Sequence, residues 1–269
     1  MIDQHTHTLY SPDASKTTTF LDYVNQAKQR GFSGIMVTDH VDFDCPDPLF
    51  QSIIDYTHYF EDVLEAKTKS NFDIRVGVEL GYQRQSLGKI KQLVQTYPFD
   101  LVLLSIHYID GLDPYDGSYF KGKSHDESIQ RYFETVYEAI TQCDDFDIFG
   151  HFDYITRYGD FENRTIALED HQEIIDSILL TLISKQKGIE INMSGIDERP
   201  KRAYPSIDIL KRYHALGGSI ITIGSDAHHE KKLGRHFDIA IKILKEAGFQ
   251  EIALFKNRIP VFYPLDELL

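Results

Sequence analysis

The chain has 269 residues, 42% of them hydrophobic, which is enough for the core of one barrel-sized domain spanning 1–269. Its formal charge of −14 argues against sequence-independent binding to nucleic acid, which needs a basic surface. A small anionic substrate stays open, because bound divalent cations reverse the local sign. No apolar run approaches the length of a membrane span. No basic-then-apolar leader opens the chain, and Cys45 and Cys143 read as free thiols of a reducing compartment, so a cytoplasmic protein is expected.

Apolar runs rich in Val, Ile, Leu and Phe end near residues 5, 38, 79, 106, 150, 192 and 224. Amphipathic stretches follow them at roughly 18–31, 51–70, 85–96, 124–143, 169–186, 205–217 and 235–247. Within 169–186, Ile174, Ile175, Ile178, Leu179, Leu182 and Ile183 recur at helical spacing. Gly31, Gly188, Gly217 and Gly248 fall where helices should stop. Alternation of continuous apolar strands with helices predicts a parallel sheet with helices outside, in seven strand–helix units. The tail E-I-A-L-F-K-N-R-I-P-V-F-Y-P reads as an irregular strand at best, weakened by Pro260 and Pro264. Three connections leaving strand C-termini, 41–50, 108–123 and 193–204, are long and rich in Pro, Gly and Asp. Such loops build substrate pockets in barrels.

Six of the twelve histidines sit directly after apolar runs: His5, His7, His40, His107, His151 and His228. Glu79 and Asp226 share that placement. Side chains at strand C-termini of a barrel converge on one mouth, so these eight groups predict a multinuclear metal site of the kind that does hydrolysis. His5 and His7 are two apart and face one side of a strand, as do Asp226 and His228. Glu79 offers two oxygens that can serve two cations. Asp39, adjacent to His40, should point away from it and orient an imidazole, and Asp3 is read the same way. His58, His125, His171, His214, His229 and His236 lie in or beside helices, or face away, and are read as ordinary structural or surface residues.

D-x-H-T-H at 3–7, T-D-H at 38–40, G-V-E-L-G at 77–81, S-I-H-Y at 105–108, G-H-F-D at 150–153 and G-S-D-A-H at 224–228 resemble the motifs of the PHP (polymerase and histidinol phosphatase) family. Order and spacing match across nearly the whole chain. The resemblance implies an α/β fold, the distorted (β/α)7 TIM-like barrel. S-P-D-A-S (11–15), S-I-H-Y-I-D-G (105–111) and N-M-S-G (192–195) are most similar to the monofunctional histidinol-phosphate phosphatases. That implies hydrolysis of L-histidinol phosphate to L-histidinol and phosphate in histidine biosynthesis. It also implies three divalent ions, Mn, Zn or Fe. His5, His7, Glu79 and Asp226 would hold the first, Glu79, His107 and His151 the second, and Asp13, His40 and His228 the third. A hydroxide bridging the first two ions would attack phosphorus, with Asp226 managing its proton and Glu79 and His228 completing the catalytic set.

Arg157, Arg199 and Arg202 follow strands on the active-face side and are candidates for the phosphate, Arg157 and Arg199 foremost, with Ser225 adding a hydroxyl. For the ammonium and imidazole of histidinol the loops offer Asp42, Asp44, Asp110, Asp113 and Asp116, and Phe43, Tyr115, Tyr119 and Phe120. Asp42 and Phe120 are the preferred pair. The expected partner is a small phosphomonoester, not a membrane or nucleic acid. Alternatives are a PHP phosphoesterase for nucleotides or phosphotyrosine, and a non-catalytic metal-binding module. Residues 100–107 contain no lysine of the sort that amidohydrolases carboxylate to bridge their metals, which favours phosphoester chemistry.

Overall fold

The structure is a computed structural model and describes residues 1–162 and 164–268. The apolar runs become β1 (Ile2–Asp3), β2 (Gly34–Val37), β3 (His40–Val41), β4 (Asp73–Gly81), β5 (Leu101–Ser105), β6 (Ile148–Phe149), β7 (Gly188–Asn192) and β8 (Ile221–Gly224). All pair in parallel, in the order β1-β2-β4-β5-β6-β7-β8. β3 prolongs the place of β2 and sets His40 opposite Glu79. Around them stand α1 (Phe20–Gln29), α2 (Tyr56–Ser70), α3 (Leu87–Thr96), α4 (His125–Gln142), α5 (Gln172–Ser184), α6 (Ile207–Ala215) and α7 (Phe237–Glu246). This is the seven-unit alternation that the periodicity predicts. The sheet is nearly closed into a barrel. Beyond the last strand residues, Asp226 N–H donates to His5 O and His7 N–H to Ala227 O, both at 2.8 Å. Closure therefore falls among the ligand-type residues themselves.

Burial on both faces explains the continuous apolar strands. Leu101, Val102, Leu103 and Leu104 of β5 are all fully buried. Truncating one such leucine to alanine costs about 2–5 kcal/mol. Helix starts are set locally. Thr19 with Asp22, and Ser124 with Glu127, form reciprocal capping boxes at α1 and α4. On α4, Ile129, Tyr132, Phe133, Val136 and Ile140 form the buried stripe.

Two sequence expectations need correction. Gly188 does not end α5: Gln186 makes the left-handed turn (φ +55°), and Gly188 opens β7. A Cβ at Gly188 would lie 2.3 Å from Ile220 O, so close strand approach is what requires glycine there. The tail forms more than an irregular strand. β9 (Glu251–Lys256) and β10 (Ile259–Pro264) make an antiparallel hairpin. Asn257 and Arg258, both at positive φ, turn it. Among the described residues β10 pairs only with β9, so Pro260 and Pro264 sit on an edge where a missing N–H is harmless. The hairpin packs under the strand N-termini. Arg75 of β4 donates to Phe255 O (2.7 Å), and Asp100, just before β5, accepts from Asn257 N–H (2.9 Å). Among the described residues no helix is long and apolar enough to cross a membrane.

Candidate active site

The C-terminal mouth gathers all nine residues expected as metal ligands. Glu79, at 0% exposure near the end of β4, is the hub. Its Oε1 lies 2.8 Å from His151 Nε2 and 3.3 Å from His107 Nε2. Its Oε2 lies 2.9 Å from His40 Nδ1, 3.4 Å from His5 Nε2 and 3.5 Å from His7 Nε2. His5 and His7 point their Nε2 atoms at each other, 3.1 Å apart. Asp226 Oδ1 is 3.2 Å from His7 Nε2 and 3.7 Å from His5 Nε2. Asp13 Oδ2 lies 3.1 Å from His228 Nε2 and 3.7 Å from His40 Nε2.

The remote ring nitrogens explain why the near ones face inward. His5 Nδ1 is 2.7 Å from Glu190, His107 Nδ1 is 2.7 Å from Asp42, and His7 Nδ1 is 3.0 Å from Ser11 Oγ. Ser11 Oγ in turn donates to Asp39 (2.6 Å), which also accepts from Thr8 and Tyr59. Carboxylates on that side fix the Nδ1–H tautomer and leave Nε2 as a lone pair for a cation. Asp39 thus orients His7 through Ser11. Asp3 accepts from the backbone N–H of His5, Ser225 and Gly234.

These groups fit metal ions. Glu79 Oε2 is buried and, although His40 Nδ1 lies 2.9 Å away, makes no well-aligned hydrogen bond, and His151 Nδ1 is unpartnered. A buried carboxylate oxygen without a good hydrogen bond is costly, and a cation removes that cost. Among the described residues, four overlapping clusters have donor atoms close enough for ions: His5–His7–Glu79, Glu79–His107–His151, His7–His40–His228 and His40–Asp42–His107. Burial pushes Glu79 up, but His40, His5 and His107 outweigh it and hold the carboxyl well below its usual range. Burial likewise opposes ionisation of Asp226, and His5, His7 and His228 overcome it. Burial, with His228 and His40 nearby, drives His7 down to about 3. Burial alone would lower His40, but Glu79 and Asp13 raise it to about 9. Anionic carboxylates and a neutral His7 are ready for cations, whereas His40 must give up a proton when one binds, as must His5 and His107, which burial alone would lower but Glu190 and Asp42 raise well above the usual range.

A cavity of about 450 Å³ opens above the cluster. Its walls come from the three long connections, through Phe50, Tyr115 and Glu198 among others, and from the segments after β6 and β8. Arg157 reaches it beside the rings of Tyr154 and Tyr158, whose hydroxyls are 2.5 Å apart, and pairs with Glu198. Arg235 also lines it, buried, bonded to Ser225 O and Asp197.

Several other substrate candidates lie elsewhere. Arg202 is paired with the fully buried Asp153 at 2.8 Å and does not line the cavity. Arg199 and Phe120 line an adjoining depression with Lys121 and Arg164. Ser225 is buried behind the cluster, its N–H bonded to Asp3. Asp42 does reach the cavity wall, but its Oδ1 is committed to His107. Asp44 pairs with Lys89, Asp110 with Arg131, and Asp116 accepts from Ser118 N–H. Asp113 and Tyr115 remain on the wall. The sequence reading missed Glu190, Arg235, Tyr154 and Tyr158. The even spacing of Glu190 and Asn192 in G-I-E-I-N, two polar groups facing one side of an apolar strand, was the available signal for the first.

Comparison with known proteins agrees with this geometry. A family model described as PHP domain matches residues 3–194. The histidinol-phosphatase of Lactococcus lactis subsp. lactis is 32% identical, the match covering 95% of this chain and 94% of that one. The crystal structure of histidinol phosphate phosphatase from Lactococcus lactis, complexed with Zn, L-histidinol and phosphate, superposes with a TM-score of 0.88 at 29% identity. That match covers 97% of this chain and 98% of the other. The chain belongs to the PHP family.

Proposed function

We propose that the protein is a metal-dependent histidinol-phosphatase that hydrolyses L-histidinol phosphate to L-histidinol and phosphate. One observation carries the chemistry: the two oxygens of a wholly buried Glu79 face two separate sets of imidazoles, and one of them makes no well-aligned hydrogen bond. Such a carboxylate is built to bridge cations. Likeness over nearly the whole length to the Lactococcus lactis enzyme supports the substrate.

His5, His7, Glu79 and Asp226 would hold a first ion, Glu79, His107 and His151 a second, and Asp13, His40 and His228 a third. Zn, Mn and Fe all suit this mixture of imidazole and carboxylate. Bound divalent ions would acidify water and neutralise phosphate charge. The chain supplies the rest. Asp226, on the cavity wall, takes the proton of the attacking water. Arg157 and Arg235 bind the phosphate oxygens as charged donors. Tyr154 and Tyr158 lie together against one side of Arg157 and restrict its swing. Asp113, Tyr115 and Phe50 face the remainder of the substrate.

The test is steady-state kinetics of metal-loaded protein on L-histidinol phosphate beside nucleotides, phosphotyrosine and simple phosphate esters. A kcat/KM for histidinol phosphate orders of magnitude above the others is expected. Equal, low values across the panel would discard the substrate and keep only the phosphoesterase chemistry.

A further inference from the structure

Glu190 sits in the middle of β7, where strand parity turns Ile189 and Ile191 outward and Glu190 and Asn192 toward the barrel axis. It is 1% exposed. A buried carboxylate is ordinarily explained by a lysine or arginine partner. Among the described residues, Glu190 forms its ion pair with His5 instead. Its two oxygens divide the work. Oε1 is 2.7 Å from His5 Nδ1. Oε2 accepts from the backbone N–H of His151 at 3.0 Å and from Asn192 Nδ2 at 3.1 Å. His151 has φ +21°, a backbone conformation unfavourable for a side chain with a Cβ, so a bond to its N–H restrains a strained residue. The fold leaves room for this carboxylate: a Cβ on Gly224 of β8 would lie 2.0 Å from Glu190 Oε1.

We infer that Glu190 is a positioning residue for metal loading: one carboxylate that holds His5 and His151, ligands of the two ions proposed to share Glu79, in the geometry that binds. The inference rests on the metal reading proposed above. Through Oε1 it keeps the proton of His5 on Nδ1 and aims Nε2 at the first ion. Through Oε2 it fixes the His151 backbone, and with it the ring whose Nε2 meets Glu79. Loss of such a partner weakens metal affinity about 10–100-fold in comparable sites.

Glu190→Gln keeps the shape but replaces one oxygen with a donor. Whichever way the amide turns, an N–H meets either the His5 proton or the His151 and Asn192 donors. Zinc affinity, measured by competition with a chromophoric chelator, should fall about 10–100-fold for the two ions sharing Glu79. The third site should bind as before, and excess zinc should restore most of kcat. The melting temperature of the metal-free protein should move little. A lower melting temperature with unchanged zinc affinity would overturn the inference and leave Glu190 a structural residue. Wild-type protein that takes up no zinc would instead sink the metal reading itself. Should Glu190→Gln fail to fold, the zinc-loaded wild type with 15N-labelled histidine decides: His5 must carry its proton on Nδ1, and a proton on Nε2 overturns the proposal.

Discussion

At the N-terminal mouth of the barrel, Asp147 accepts from the Arg258 guanidinium through Nε (2.9 and 3.1 Å) and Nη2 (2.9 Å), and also from Val102 N–H. At the C-terminal mouth Glu79 is buried more deeply, yet its Oε2 makes no well-aligned hydrogen bond. The same sheet thus treats buried charge in two ways. Below, the hairpin of β9 and β10 supplies the compensating groups, and the chain is complete in itself. Above, imidazoles and carboxylates crowd together and compensation is left to something that binds. Charge satisfied within the chain contributes to stability. Charge left unsatisfied is kept because a ligand completes it, in keeping with the division of stability and activity between the two faces of such barrels.

The sharpest way to break this comparison is Glu79→Ala. It should abolish turnover, by more than the about 10²–10³-fold that one preorganised hydrogen-bond donor is worth, and lower the zinc stoichiometry measured by atomic emission. Near-normal activity would show that the hub is structural, like Asp147. Arg157→Ala comes next. A hydrogen bond to a charged group is worth about 1.5–3 kcal/mol, so KM for the phosphorylated substrate should rise about 10–100-fold with zinc content intact. Arg199→Ala, which alters only the adjoining depression, should change KM far less. The reverse ranking would move the phosphate site into that depression.

The upper mouth was more legible in the sequence than the lower, for a physical reason. A ligand at a strand's C-terminal end leaves a local mark, an apolar run followed at once by His, Glu or Asp, and His107 and His151 are found that way. Groups that act through register leave none. Asp42 looks like any loop carboxylate until β3 and β5 bring it against His107. Arg235 follows a glycine and two lysines, and its burial depends on Asp197, distant in sequence. Arg199 and Phe120 were plausible on loop membership alone, but position along a loop does not say which of two neighbouring hollows a side chain enters. Pro260 and Pro264 argued against a strand correctly for a sheet interior and wrongly for an edge.

Ion removal and one substitution test the two mouths against each other with smaller effects. Zinc at about 100 times its dissociation constant should stabilise the fold by about 2.7 kcal/mol per site, and a chelator should reverse this. Amide hydrogen exchange should slow most on zinc binding around His107, His151 and Asp226, and least in β9 and β10. Arg258→Ala should do the opposite. It leaves Asp147 short of its cation, at a cost of about 1.5–3 kcal/mol in urea denaturation, while kcat and zinc affinity hold. Because Arg258 is partly exposed and Asp147 keeps its bond to Val102, the cost should fall at the lower end of that range. If kcat fell together with stability, the lower mouth would be coupled to the metal cluster through β4, β5 and β6, and the separation between a self-sufficient end and a ligand-dependent end would not hold.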